Sequence, residues 1–328
     1  MAGPYTQDTR AGKLTTPLGD DVLLLSRFWA EEELSQVHPY HIEALSADGD
    51  LDFDQTLGRN CTLKLIAPDG LERCFCGVLV EAELKGVRDD LHVYQLELRP
   101  WLWLLNHASS TRIFENLAAP DIIKKVFSGR GFLDFRDALT VTYPTLKYCV
   151  QYDETDFNFV SRLMQKNGIY YFHEHTDSKH ELVLADAKAS HTTAPGLETI
   201  SLLSTMRSGR GADGKQGLRR WTKHRKFTTG KATLNAYDYT KPAANLKTDA
   251  DKSASYGHGS LETYSYHPAA YTDPSEGERL AKVLVDSKKA DDKRRSGYGN
   301  APSLYPGCLV TLTDHPDAAE NIEYLVRS

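Results

Sequence analysis

Cysteine is scarce in this chain of 328 residues, with only Cys61, Cys74, Cys76, Cys149 and Cys308. An odd, scattered set excludes a disulfide framework and points to a reducing compartment. Long apolar runs are also missing. None reaches the ~18 residues that span a bilayer, and residues 22–25 (VLLL) suffice only for a strand. The N-terminus, MAGPYTQDTRAGKLTTPLGD, lacks a basic stretch followed by an apolar one, so no secretory signal is read. Excess positive charge is absent: 39 basic against 45 acidic residues give −6, which excludes a wholly basic nucleic-acid binder. The chain also has no GxxxxGK followed by Ser or Thr, no GxGxxG between strand and helix, no HExxH and no GxSxG.

What is present is a globular composition, 40% apolar and 26% charged. At about 150 residues per domain it makes roughly two domains, large enough to need no metal or staple. To about residue 105 the chain reads as strands. CTLKLIAPDGLERCFCGVLVEAEL is two strands around the turn Pro68-Asp69-Gly70. Cys74, Cys76, Val78 and Val80 share one parity, so both cysteines read as small core residues and not as a metal pair. In HVYQLELRPWLWLL, Tyr94, Leu96 and Leu98 face one way, and Pro100 ends the ladder. AEEELSQV is a polar helical or loop piece.

Three helices are expected. The first starts at Pro120-Asp121, carries Ile122, Ile123, Val126 and Phe127 at helical spacing, and stops at Gly129 and Gly131. The second is capped by Thr155 and closed by Asn167-Gly168. The third covers 276–293, with Leu280, Val283 and Leu284 on one side. IYYFHEHTDSKHELVLAD is a hairpin turning at Thr176–Lys179. Beyond about residue 190 come polar strands, the loop SGRGADGKQG and a tyrosine-rich stretch near 256–271. Many short strands, few helices and no βαβ alternation indicate β-barrels or sandwiches with an α/β insertion.

Three clusters could carry chemistry. His173 and His175 point to one side of a strand, ~7 Å apart, and with His180 opposite could hold zinc for a metal-dependent hydrolase. The competing structural reading is favoured: Ile169, Tyr171, His173 and His175 line one half-exposed barrel face, with no water-activating acid fixed beside them. Asp153, Glu154 and Asp156 could be paired carboxylates, but at a helix N-terminus favourable charge placement explains them. Arg207, Arg210, Lys215, Arg219, Arg220, Lys223, Arg225, Lys226 and Lys231 face a single acid, Asp213, with Trp221, His224 and Phe227 interleaved. The run could hold nucleic-acid phosphates. The favoured reading is a charged strand face meeting an acidic subunit surface, since the rest of the chain is strongly acidic.

Several ordered motifs then resemble one family. TTPLGDDVLLLSRF, LELRPWLWLLN, RIFENLAAPDIIKKVF, YCVQYDETDFNFVSRLMQKNGIYYFHEH with HELVLAD, SEGERLAK and YPGCLVTLTDHP are similar to the N-terminal part of VgrG proteins, the spikes of bacterial type VI secretion. The resemblance covers residues 14 to 328. It implies a mainly β fold with an α+β insertion: two related β-barrel domains, as in contractile-phage baseplate hubs. The domains would be a first barrel at 1–108, the insertion at 109–190 and a second barrel at 191–328. Residues 169–195 would return to the first barrel or to the insertion.

In the family an OB-type barrel and a β-helix needle follow. Neither is in this sequence, and the abrupt closing strand Tyr324-Leu325-Val326 suggests a piece of a longer polypeptide. The implied function is a trimeric adaptor joining the hexameric Hcp tube to the needle and carrying effectors, among other baseplate components; the alternative is the hub of a phage-like tail. The resemblance implies no catalytic, cofactor-binding or metal residue, no cofactor and no stable nucleic-acid partner. It places the protein in the bacterial cytoplasm before firing and outside the cell afterwards.

Overall fold

A computed structural model describes residues 5–67, 69–203, 216–267 and 271–328. The first sheet contains β1 (Gly12–Thr15), β2 (Leu24–Ala30), β3 (Tyr40–Ser46), β4 (Asn60–Ile66), β5 (Glu72–Arg88) and β6 (Leu91–Arg99). Their order is β1-β4-β5-β6-β3-β2, with every neighbouring pair antiparallel. Alternation sets the inside: Tyr40, Ile42, Ala44, Leu63, Tyr94, Leu96 and Leu98 are buried in one cluster. Each Leu or Ile among them contributes about 1.5–3 kcal/mol.

The sheet nearly closes into a barrel, and Gln7 spans the seam. Its side-chain oxygen accepts from the N–H of both Leu14 on β1 and Leu25 on β2, at 2.9 Å each, and its amide donates to the Leu14 carbonyl. Strand β5 runs on past the barrel and turns into β6 at Asp89-Asp90. Both are left-handed (φ 50° and 65°), as a two-residue hairpin turn requires.

The expected insertion follows a 3-10 segment, Trp101–His107. Helices α1 (Ala119–Gly129) and α2 (Asp156–Asn167) pack with that segment through Leu102, Leu105, Ile122, Ile123, Phe127, Phe159 and Val160. Around them lie short pairs: β7 (Ser109–Phe114) with β11 (Cys149–Thr155), and β8 (Leu117–Ala118) with β10 (Thr145–Leu146). β9 (Phe135–Asp137) joins the hairpin of β12 (Tyr170–His175) and β13 (His180–Ala185). Thr155 caps α2 by accepting from Asn158 N–H at 3.1 Å, and Gly168 ends it at φ 75°.

The second half holds β14 (Thr192–Thr193), β15 (Thr199–Leu202), β16 (Gly217–Arg225), β17 (Lys231–Asn235), β18 (Thr248–Asp251), β19 (Glu262–Tyr266), α3 (Pro274–Lys289), β20 (Lys293–Asn300), β21 (Cys308–Thr313) and β22 (Glu323–Leu325). One mixed sheet runs β14-β21-β15-β16-β20, with β22 on β21; the other runs β18-β17-β19. α3 covers the smaller sheet through Leu234, Leu246, Leu280 and Ala281. This helix ends at Lys289, four residues before the 293 expected, because Asp292 is drawn into side-chain pairs with Lys289 and Arg225 and the chain then enters β20.

The AEEELSQV piece forms no helix; it crosses to the hairpin and the C-terminal strand region. Ser35 N–H donates to the Tyr171 carbonyl at 2.8 Å and Leu34 N–H to the Arg327 carbonyl at 2.9 Å. Gly307 closes the same junction. Its φ of 96° suits glycine, and a Cβ there would strike the Phe172 ring. The turn residue Pro68 lies outside the described residues.

Candidate functional site

The three histidines are brought together, but not on a half-exposed barrel face. β12 and β13 place His175 directly across from His180, and the hairpin lies against β5 and the second half, which cover its strands but not its turn. Ile169 and Tyr171 are buried in the insertion core, the His175 side chain is wholly buried, and His180 is buried too. Ring centroids are 5.9 Å apart for His173–His180 and His175–His180, and 6.3 Å for His173–His175.

Each ring is tied differently. The backbone N–H of Trp101 donates to His180 Nε2 at 2.7 Å. His175 Nδ1 lies 3.1 Å from both the N–H and the carbonyl of Cys76, and its Nε2 lies 3.3 Å from the Tyr40 hydroxyl and 3.5 Å from Glu32. With both nitrogens engaged, His175 has no lone pair left for a metal. Among the described residues no group of three or more His, Cys, Asp or Glu is placed to hold a metal ion, and the hydrolase reading gains no site.

Glu32 and Arg73 organise this centre. Glu32 Oε2 accepts from Arg73 Nη2 at 2.7 Å and Oε1 from the Tyr40 hydroxyl at 3.0 Å. Arg73 also lies over the rings of Phe75 and Tyr305, which ties the barrel to the second half. Burial alone would raise the Glu32 carboxyl, but the Arg73 guanidinium and the His175 ring hold it down at about 2. Burial lowers all three imidazoles, His173 to about 3. Sequence reasoning missed Glu32, Arg73 and Tyr40, whose only signal was a charged triplet, Glu31–Glu33, without helical spacing.

The carboxylates at α2 are structural, and more than helix-end charge holds them. Asp156 is fully buried and accepts from Arg112 at 2.6 Å, Arg130 at 2.6 Å and Gln151 at 2.7 Å. Glu154 takes a two-pronged contact from Arg162. Asp153 is exposed with φ 46°. Nothing here pairs a proton donor with a base across a cleft.

Part of the basic run finds acids within the chain itself. Lys223 meets Asp317 at 2.6 Å and Glu320 at 3.2 Å, Arg225 meets Asp292 at 3.0 Å, Lys226 meets Asp291 at 3.3 Å and Lys231 meets Asp249 at 3.6 Å. Trp221 Nε1 donates to Glu320, whose carboxyl is held far down by Arg295 first and then by Trp221. Arg219 and Arg220 are exposed on β16. Arg207, Arg210, Asp213 and Lys215 lie outside the described residues.

Cys61, Cys76, Cys149 and Cys308 are buried free thiols, and Cys74 is half-buried. Burial pushes Cys61 up to about 12 and Cys76 to about 11, so they pack and do not react.

Comparisons with known proteins give the family. The model of the family described as phage tail baseplate hub (GPD) matches residues 31–328. The type VI secretion system spike protein VgrG1b of Pseudomonas aeruginosa is 38% identical over 320 residues, covering 98% of this chain and 43% of the relative. VgrG1a of the same organism is 36% identical over 320 residues, covering 98% and 49%. The chain thus spans about half the length of these relatives. Among solved structures, an E. coli component of the type VI secretion system, described as similar to the T4 tail proteins gp27 and gp5, superposes with a TM-score of 0.69 at 17% identity. That match covers 96% of this chain and 71% of the other.

Proposed function

The chain belongs to the phage tail baseplate hub family, and on that premise we propose that it is the hub of a type VI secretion spike. In this reading three copies gather around an axis, sit on the hexameric Hcp tube and carry the needle beyond. Residues 1–108 and 191–328 are the two hub domains, with the insertion at 109–190 between them. Two similar domains per copy, three copies to a ring, match a sixfold tube, and the contacts form a closed heterologous ring.

The role is mechanical, not catalytic. A near-closed barrel leaves little free strand edge and shares load among ladder hydrogen bonds. Buried joints such as Glu32–Arg73 and Asp156–Arg112 resist sliding between layers. Effectors and baseplate components are the further partners. The protein waits in the bacterial cytoplasm and leaves through its own machine.

One observation carries this reading: the likeness to type VI spike proteins runs through nearly the whole chain. A contractile-phage tail hub ranks second: the family model is that of a phage tail baseplate hub, but the relatives at 36–38% identity are type VI spike proteins. Light scattering on the complete product of the gene tests the assembly. A mass of three copies is expected; a monomer at every concentration would count against it.

A further inference from the structure

Three imidazoles, His173, His175 and His180, cluster with one carboxylate beside them, that of Glu32, at the junction of the barrel, the insertion and the second half. His173 Nε2 and His180 Nδ1 are buried with no hydrogen-bond partner. A charged imidazolium donates from both nitrogens. A proton added to His173 or His180 therefore creates a donor, and a charge, for which the site has no acceptor.

We propose that this cluster is an acid-sensitive latch: it clamps the β12–β13 hairpin between the barrel and the second half while the three rings are neutral, and releases it as they take up protons.

The surrounding acids are paired elsewhere or stand at the rim of the cluster. From the 31–36 segment, Glu32 contacts His175, reaches His173 only by its charge, and is already committed to Arg73 at 2.7 Å. Glu31 and Glu33, with His38, line an adjoining cavity of about 20 Å³ that also reaches His173, and Glu33 is paired with Arg327 at 2.8 Å. On β3 and β12, Tyr40 and Tyr171 are neutral phenols that burial keeps protonated. β5 contributes Arg73, which opposes further positive charge, and Cys76, a thiol. Glu174, on β12 itself, is turned to Arg136 at 2.6 Å. The second half brings Tyr305, kept protonated by burial.

The sign follows from where the protons go. Unfolded histidines titrate near 6.5, whereas burial holds the folded ones lower. The open form binds more protons below that pH. The latch is whole above about pH 6.5 and weakens as pH falls. Each imidazole can change the opening constant up to about tenfold per pH unit. This inference stands whether or not the chain is a spike hub.

Amide hydrogen exchange between pH 7.5 and 5, corrected for the intrinsic rate, tests it. Protection across residues 170–185 should fall more than tenfold from pH 6.5 to 5, while residues 94–98 of the barrel keep theirs. Hairpin protection unchanged to pH 5, or lost evenly with the barrel, would overturn it. His173→Phe should flatten the fall by about tenfold per pH unit, and an unchanged slope would also overturn it. If that variant does not fold, imidazole NMR on the unaltered protein decides: all three rings neutral at pH 5.5 supports the latch, and any of them titrating near 6.5 contradicts it.

Discussion

Trp101 donates its backbone N–H to Nε2 of His180 at 2.7 Å, across 79 residues of sequence. The bond joins the end of the barrel's last strand to the hairpin of the insertion, and both residues are buried. His180→Ala should orphan that N–H and leave a cavity, costing about 3 kcal/mol in urea unfolding. His180→Gln, which restores an acceptor, should recover about 1 kcal/mol. Equal losses for the two variants would mean that the bond carries no weight.

Asp156 and Glu154 separate a buried pair from a surface one. Asp156→Ala takes the carboxylate from Arg130 and leaves Arg112 with Gln151 alone, and should cost about 3 kcal/mol. Glu154→Ala exposes Arg162 to water and should cost less than about 1 kcal/mol. Denaturant midpoints measure both, and a reversed ranking would refute this account of the α2 N-terminus.

Gln7 closes the barrel seam, so Gln7→Ala removes the acceptor of two amides and should destabilise by about 2 kcal/mol. The loss should be local. Exchange at Leu14 and Leu25 should quicken about tenfold while Leu96 and Leu98 stay protected. Uniform exchange would show that the seam is held elsewhere.

Glu32 sets a separate, lower acid limb. Its carboxyl is held at about 2, against an ordinary 4.5. The stability it contributes is complete above pH 4.5 and is lost as pH falls through 2, roughly 3 kcal/mol in all. In Glu32→Gln the fall in stability between pH 4.5 and 2 should be shallower, as read by fluorescence-detected unfolding. An unchanged slope would remove Glu32 from the centre of the junction.

Local rules made much of the fold legible. Helical spacing of Ile122, Ile123, Val126 and Phe127 gave α1, and the Thr155 cap and left-handed Gly168 bounded α2 within a residue. Parity placed Tyr94, Leu96 and Leu98 inside the barrel. The junction was not legible, because its members come from separate elements: Glu32 and Arg73 are 41 residues apart, and His175 and Cys76 are 99 apart. Parity correctly put His173 and His175 on one side of their strand. It could not show that β5 and the second half would cover that side. Likewise charge runs showed that Lys223 and Arg225 need acids, but only folding reveals Asp317 and Asp292 beside them.

The central claim is that this chain is the hub on which a secretion tube ends. Native mass spectrometry of the complete gene product mixed with Hcp measures it most directly. The account predicts a complex of three copies on one Hcp hexamer, while a one-to-one complex, or no complex at all, would contradict it.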